Sequence, residues 1–273
     1  MRGIWDHGRV RLEDSRRARR TKEEIRQLLL DAGHSLLMED GLGIGAGGIT
    51  FKRAFERVEA TTGTRLTNAS VIRRVWENQA EFQTDVLAAA VSSNVSADEM
   101  TAVVDMLAPR LATLDRSTPE ARMRSLEEVC RLSGRVSLEA ILHSPTWSLW
   151  VGIWVLGTTS PATPLNDRVR RALLDGYELD TGGWQSVYAG LADHLGLRLR
   201  VPFTMRQFTV SVGALVEGCA LRHFGAEDLD AIERPTGPDG ALESWNLLGV
   251  GLQALAVQYF EIDPDWTGPY GSD

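Results

Sequence analysis

The chain has 273 residues, room for one large or two medium domains, and its 43% hydrophobic content is enough for a real core. No apolar run approaches the ~18–20 residues of a membrane span, and Met1-Arg2-Gly3-Ile4-Trp5 lacks the apolar stretch of a signal peptide, so a cytoplasmic protein with no membrane partner is expected. The net charge of −8 speaks against a uniformly basic nucleic-acid binder, but it is unevenly spread: residues 1–90 hold 15 Lys+Arg against 13 Asp+Glu, and the other 183 hold 14 against 24. An acidic body on a mildly basic head is the pattern of a DNA-binding unit joined to something that does not touch DNA.

Residues 1–20 are polar, without apolar periodicity, and carry Arg16, Arg17, Arg19 and Arg20 almost in a run. They read as a disordered arm, either a solubilising tail or a strand of cations lying along phosphates or in a minor groove. Thr21-Lys22-Glu23-Glu24 is a capping box opening a helix to about Glu39, with Ile25, Leu28, Leu29, Ala32, Leu36 and Leu37 on its apolar face. Gly41–Gly48 contains a formal GxGxxG, but a helix precedes it and no strand–helix alternation follows, so it reads as a connection.

The next stretch, Ile49–Val91, organises the rest. Phe51, Ala54, Phe55 and Val58 form one helical stripe, entered through Thr50, whose hydroxyl and neighbouring N–H groups are placed to hold a phosphate. Thr61-Thr62-Gly63-Thr64 breaks it. A short helix capped by Asn68 follows, with Ala69, Ile72, Val75 and Trp76 inward and Thr67, Ser70, Val71 and Arg74 outward. A third helix starts near Asn78 and turns Phe82, Val86 and Ala90 inward. Small hydroxyls beside an Arg suit a major groove: they admit the backbone, and Arg offers guanine two donors.

These residues resemble the TetR family of transcriptional regulators. Ile72-Arg73-Arg74-Val75-Trp76-Glu77-Asn78-Gln79-Ala80-Glu81-Phe82 fits the family frame, with Trp76 in the Phe slot, Asn78 in the capping slot and Phe82 in the following apolar slot. It departs in having Arg73 where Tyr is usual, replacing a phenol with a guanidinium at a phosphate, and in a longer turn before the short helix. The resemblance implies a homodimer on a pseudo-palindromic operator in double-stranded DNA. Arg17, Arg19, Arg20, Thr50, Lys52 and Arg73 would meet phosphates, and Thr67, Asn68, Ser70 and Arg74 base edges.

Beyond Val91, amphipathic helices are expected over Ser96–Leu114 and from Thr118-Pro119-Glu120 onward. Ser144–Leu156 carries Trp147, Trp150 and Trp154 on one face, as core filler or as the lining of a cavity for a flat, greasy ligand. The resemblance implies an effector pocket there, with Met106, Trp184, Tyr188 and Phe208 as further lining and an unidentified small apolar or aromatic molecule as occupant. Asp167–Gly196 reads as one long helical stretch, open to interruption near Asp180–Gly183. Two long helices, about Thr204–Phe224 and Leu242–Phe260, carry wide apolar stripes. The resemblance makes them the dimer interface, through Val212, Leu215, Val216, Leu248, Leu252 and Leu255; the alternative is that both stripes face the monomer's own core. Cys130 and Cys219, in apolar surroundings with no CxxC, are expected as buried thiols rather than a disulfide.

The expected fold class is all-α, with a three-helix helix-turn-helix DNA-binding domain over 21–92, a helical effector-binding and dimerisation domain over 93–263 and a polar tail over 264–273. No enzyme motif passes its structural test, the five His residues lie far apart, and no metal or cofactor is expected. A repressor released by its effector is the favoured reading; the alternative is a helical ligand carrier or an enzyme using the Trp-lined cavity.

Overall fold

A computed structural model describes residues 20–42, 46–67, 75–92, 96–223, 232–236 and 240–268. The protein is mostly helical. In chain order the helices are α1 (Lys22–Asp40), α2 (Phe51–Thr62), α3 (Gln79–Val91), α4 (Ala97–Leu111), α5 (Pro119–Leu142), α6 (Pro145–Thr159), α7 (Pro164–His194), α8 (Met205–His223) and α9 (Leu247–Tyr259).

Their starts follow local chemistry. Thr21 and Glu24 make the reciprocal capping box, with the Thr21 N–H donating to Glu24 Oε2 at 2.7 Å and the Glu24 N–H to Thr21 Oγ1 at 3.2 Å. Thr50, Asn78, Thr118, Ser144, Thr163 and Asn246 each accept a bond from the N–H three residues on. Proline occupies the first turn of α5, α6 and α7, where its missing N–H costs nothing. Helix α7 runs without interruption through Asp180–Gly183 for 31 residues. A Cβ on Gly183 would meet the end of Met100 at 2.8 Å, so here the glycine serves packing rather than a break.

Two apolar clusters form the interior. The first joins α1, α2 and α3, where Phe51 stacks on Phe82 with centroids 4.8 Å apart and Trp76 meets Phe82 edge-on at 5.0 Å. It also takes in Leu149, Trp150 and Ile153 of α6 and Val169 and Leu173 of α7, so this core reaches beyond residue 92. The second gathers α4, α5, the C-terminal half of α7, α8 and α9.

The chain's end departs from expectation. Leu242–Trp245 is a strand, β3, paired antiparallel with β2 (Ile232–Pro235) in the register Ile232↔Trp245. Asn246 fixes the boundary: its Oδ1 accepts from the Gly249 N–H at 2.8 Å, so α9 begins at Leu247 and is 13 residues long. Phe260–Ile262, β4, leaves the helix and pairs with β1 (Leu197–Leu199). The tail predicted from residue 264 is in part docked, since Trp266 Nε1 donates to the Asp193 carbonyl at 3.0 Å and its ring lies under the buried Arg122 guanidinium.

The proposed dimer stripes face inward. Val212, Val216, Leu248 and Leu252 are at most 9% exposed and belong to the second core cluster, with Leu215 and Leu255 half-buried against it. Their assignment as an interface is therefore corrected: α9 spends its apolar face on α5 and α8 within one chain. At the α5–α9 crossing a Cβ on Gly134 would lie 2.5 Å from Gly249 Cα, a backbone-to-backbone approach that only glycine allows. Asn246 Nδ2 crosses the same gap to the Gly134 carbonyl at 3.0 Å.

Gly134→Ala should therefore cost about 1–3 kcal/mol or more through overpacking. Gly218→Ala, where nothing lies within 4 Å, should be neutral or slightly stabilising. Urea unfolding of the two variants reads the contrast, and equal effects would refute the crossing as the tight point.

Candidate functional site

Residues named for DNA divide by position. Arg17, Arg19, Asn68, Ser70, Arg73 and Arg74 lie outside the described residues. Arg20 is exposed and its Nη2 donates to Thr64 Oγ1 at 2.9 Å, tying the start of α1 to the end of α2. Thr50 spends its hydroxyl on the Arg53 N–H at 3.3 Å, Lys52 is exposed and 4.0 Å from Glu56, and Thr67 is exposed. Asn78, Trp76 and Phe82 take the capping and buried positions that their spacing predicts.

The residues that follow position 74 are anchored by one buried carboxylate. Asp85, on α3 and 8% exposed, accepts from Trp76 Nε1 at 2.9 Å and Arg26 Nη2 at 3.0 Å and pairs with Arg168 at the start of α7. A buried carboxylate with cations from two other helices resists any rearrangement that would strip it of them.

Further along α7 the helices part to leave a cavity of about 430 Å³. Trp147, Trp150, Trp154, Trp184 and Tyr188 line it, and Tyr177 joins them. Trp150 and Trp154 stack at 5.0 Å, and Trp184 on Tyr188 at 5.3 Å. The alternatives of core and cavity therefore coincide, because Trp147 and Trp150 are buried and still face the void. Two lining assignments are corrected. Met106 packs, half-buried, against the second core cluster, and Phe208 is locked in the core edge-on to Tyr188 and Phe260.

Three carboxyls in the lining escaped the sequence reading: Glu99 of α4, Asp180 of α7 and Glu217 of α8. Burial pushes Glu99 up to about 8; a hydrogen bond with Ser137 opposes this, and the negative charges of Asp180 and Glu217 add to it. Burial, then Asp180, raises Glu217 to about 6. Asp180 is also raised by burial, against the bonds it accepts from Ser96: its Oδ1 takes the Ser96 N–H at 3.3 Å and the Ser96 hydroxyl. Trp184 Nε1 donates to Ser96 Oγ at 2.7 Å, so two lining residues hold the residue that leads into α4. Trp147 is 5% exposed and its Nε1 has no hydrogen-bond partner among the described residues. The signal in the sequence was an acid on an apolar phase: Glu99, Val103 and Leu107 are the buried positions of α4, whereas Val104 is 41% exposed.

Cys130 and Cys219 are free and buried, with burial pushing the Cys130 thiol up to about 12. No helix among the described residues is long and apolar enough to cross a membrane. No family model matches the chain, and neither does any curated protein or solved structure.

The Glu99 carboxyl gives the fold a pH signature. Unfolded, it loses its proton near 4.5; folded, facing Asp180, Glu217, Tyr188 and Ser137, it holds it to about 8. Across that window the unfolded chain binds fewer protons, so stability falls as pH rises and levels off above the folded value. Glu99→Gln has no proton to lose. Its gain over the parent in urea midpoint should grow from pH 5 to pH 8, and a constant difference would refute the burial of an acid here.

Proposed function

We propose that the protein is a TetR-like transcriptional regulator, a homodimeric repressor that binds a pseudo-palindromic operator and is released by a small molecule. In this reading residues 21–92 form the helix-turn-helix DNA-binding domain and 93–263 the effector-binding and dimerisation domain. The observation that carries it is the double engagement of α7. Arg168 grips Asp85 beside Trp76, two residues past the segment 67–74 that holds the base-reading candidates. Asp180 and Trp184, on the same helix, line the cavity and hold Ser96. A ligand that moves α7 thus acts on the body of α3 through Asp85 and on the chain beyond it through Ser96, which is how an effector would alter the spacing of two DNA-binding heads.

Self-association in this reading uses positions that the inward stripes leave outside. Val210 and Leu221 of α8 and Leu247 and Val257 of α9 are exposed apolar side chains. Leu221→Asp with Val257→Asp should convert a dimer to a monomer by light scattering while leaving the helical signal intact. A surviving dimer would move the interface elsewhere.

The DNA reading is tested by retention from a pool of random duplexes at about 100 mM salt, followed by sequencing. A recovered pseudo-palindrome supports a dimeric, sequence-specific regulator. Arg74→Ala should then lose about 1–3 kcal/mol of discrimination at one base pair of each half-site. Retention that is salt-sensitive but unselective would reduce the region to a phosphate-binding surface. Absence of retention would sink the regulator and leave the helical ligand carrier, which the cavity alone supports.

A further inference from the structure

We propose that the cavity takes an organic cation, its charged group among Glu99, Asp180 and Glu217 and its apolar body against the indoles. The proposal deepens the effector reading of this same cavity and rests on it for the link to DNA, but not for the binding itself.

The lining is chemically one-sided. Three helices, α4, α7 and α8, each contribute a carboxyl, and no Lys, Arg or His is among the described residues that line the space. Glu99 is 8% exposed and Glu217 half-buried, and neither forms an ion pair among the described residues. Carboxyls withdrawn from water near one another disfavour each other's charged forms, and an opposite charge within ~4–6 Å favours them. Elsewhere in this chain the buried carboxylate Asp85 is answered by the cations Arg26 and Arg168; in the cavity, among the described residues, only the neutral Ser96 and Ser137 bond to the carboxyls and no cation does.

The aromatic lining fits the same ligand. Trp147, Trp150, Trp154, Trp184, Tyr177 and Tyr188 line the space, and aromatic rings carry negative quadrupoles that attract cations, most strongly when water is excluded. Trp147, one of the lining residues, has a buried Nε1 with no hydrogen-bond partner among the described residues, a separate sign that the cavity is not closed up by its own side chains. A volume of about 430 Å³ suits a molecule of one to three rings.

The test compares two molecules of one shape, N-methyl-4-phenylpyridinium and the neutral 4-methylbiphenyl, by tryptophan fluorescence titration of the full chain. The pyridinium has a permanent charge, so only the protein titrates. Expected is at least tenfold tighter binding of the cation. In the Asp180→Asn, Glu217→Gln double variant that preference should vanish while the neutral molecule binds as before, which also reports an intact cavity. Equal or tighter binding of the neutral molecule, no binding of the cation, or loss of both ligands' affinity in equal measure would overturn the proposal. Repeating the titration with retained operator DNA separates the two ideas. Preferential cation binding that leaves DNA affinity unchanged supports the cation site and removes its regulatory role, whereas release of DNA by the neutral molecule in preference to the cation keeps an effector cavity and overturns the cation.

Discussion

One carboxylate sets the geometry on which the rest depends. Asp85 is buried on α3, and its charge is satisfied from α1 by Arg26, from α7 by Arg168 and from the chain before α3 by Trp76. The apolar contacts around it, Phe51 on Phe82 and Trp76 on Phe82, favour burial without fixing direction. Hydrogen bonds and ion pairs to a single desolvated group do fix it, because each donor must reach the same two oxygens. The cost of leaving that charge unanswered is what locks α1, α3 and α7 into one arrangement.

Helix α7 carries that constraint to the cavity. Twelve residues separate Arg168 from Asp180, roughly 18 Å along a helix at ~1.5 Å per residue. The unbroken run of α7 through Gly182 and Gly183 matters for this, since a break there would uncouple its two ends. The first core cluster has the same consequence, because Leu149, Trp150, Ile153, Val169 and Leu173 seal α6 and α7 onto α1–α3. Under the proposed reading, the DNA-facing part and the ligand-facing part are two ends of one packed body, not two beads on a linker.

What was legible in the sequence was local. Thr21 with Glu24, Asn78 with Glu81 and Thr118 with Pro119 announce helix starts, because a cap is decided within four residues. The stripes of α2 and α3 likewise name their buried faces. What they cannot name is the surface they are buried against: Val212, Val216, Leu248 and Leu252 satisfy a dimer's pattern and a monomer's core equally, and the close approach of Gly134 to Gly249 decides for the core. Leu242–Trp245 could be read as the first turn of a helix, because the partner that makes it a strand, Ile232–Pro235, and the Thr236 hydroxyl that takes Trp245 Nε1 at 2.8 Å lie outside any local window. The acids of the cavity were hidden for the same reason. Each comes from a different helix, and only the convergence of α4, α7 and α8 makes them a group.

Under the proposed reading, that convergence lets charge, rather than shape alone, give the cavity its leverage. A ligand shifts an equilibrium only by the difference in its affinity for the two states. An apolar body filling the space leaves the bonds between Asp180 and Ser96 untouched, so in the proposed mechanism filling alone gives little leverage. Asp180 is different, because its carboxylate already holds the Ser96 N–H and hydroxyl at the entry to α4, while Trp184 holds the same hydroxyl from the other side. A cation drawn to Asp180 competes for the oxygen that anchors Ser96, and Ser96 stands five residues beyond the end of α3 at Val91. In the proposed mechanism, charge at the cavity is thus exchanged directly for a grip on the junction of α3 and α4, while Asp85 keeps the body of α3 tied to α7.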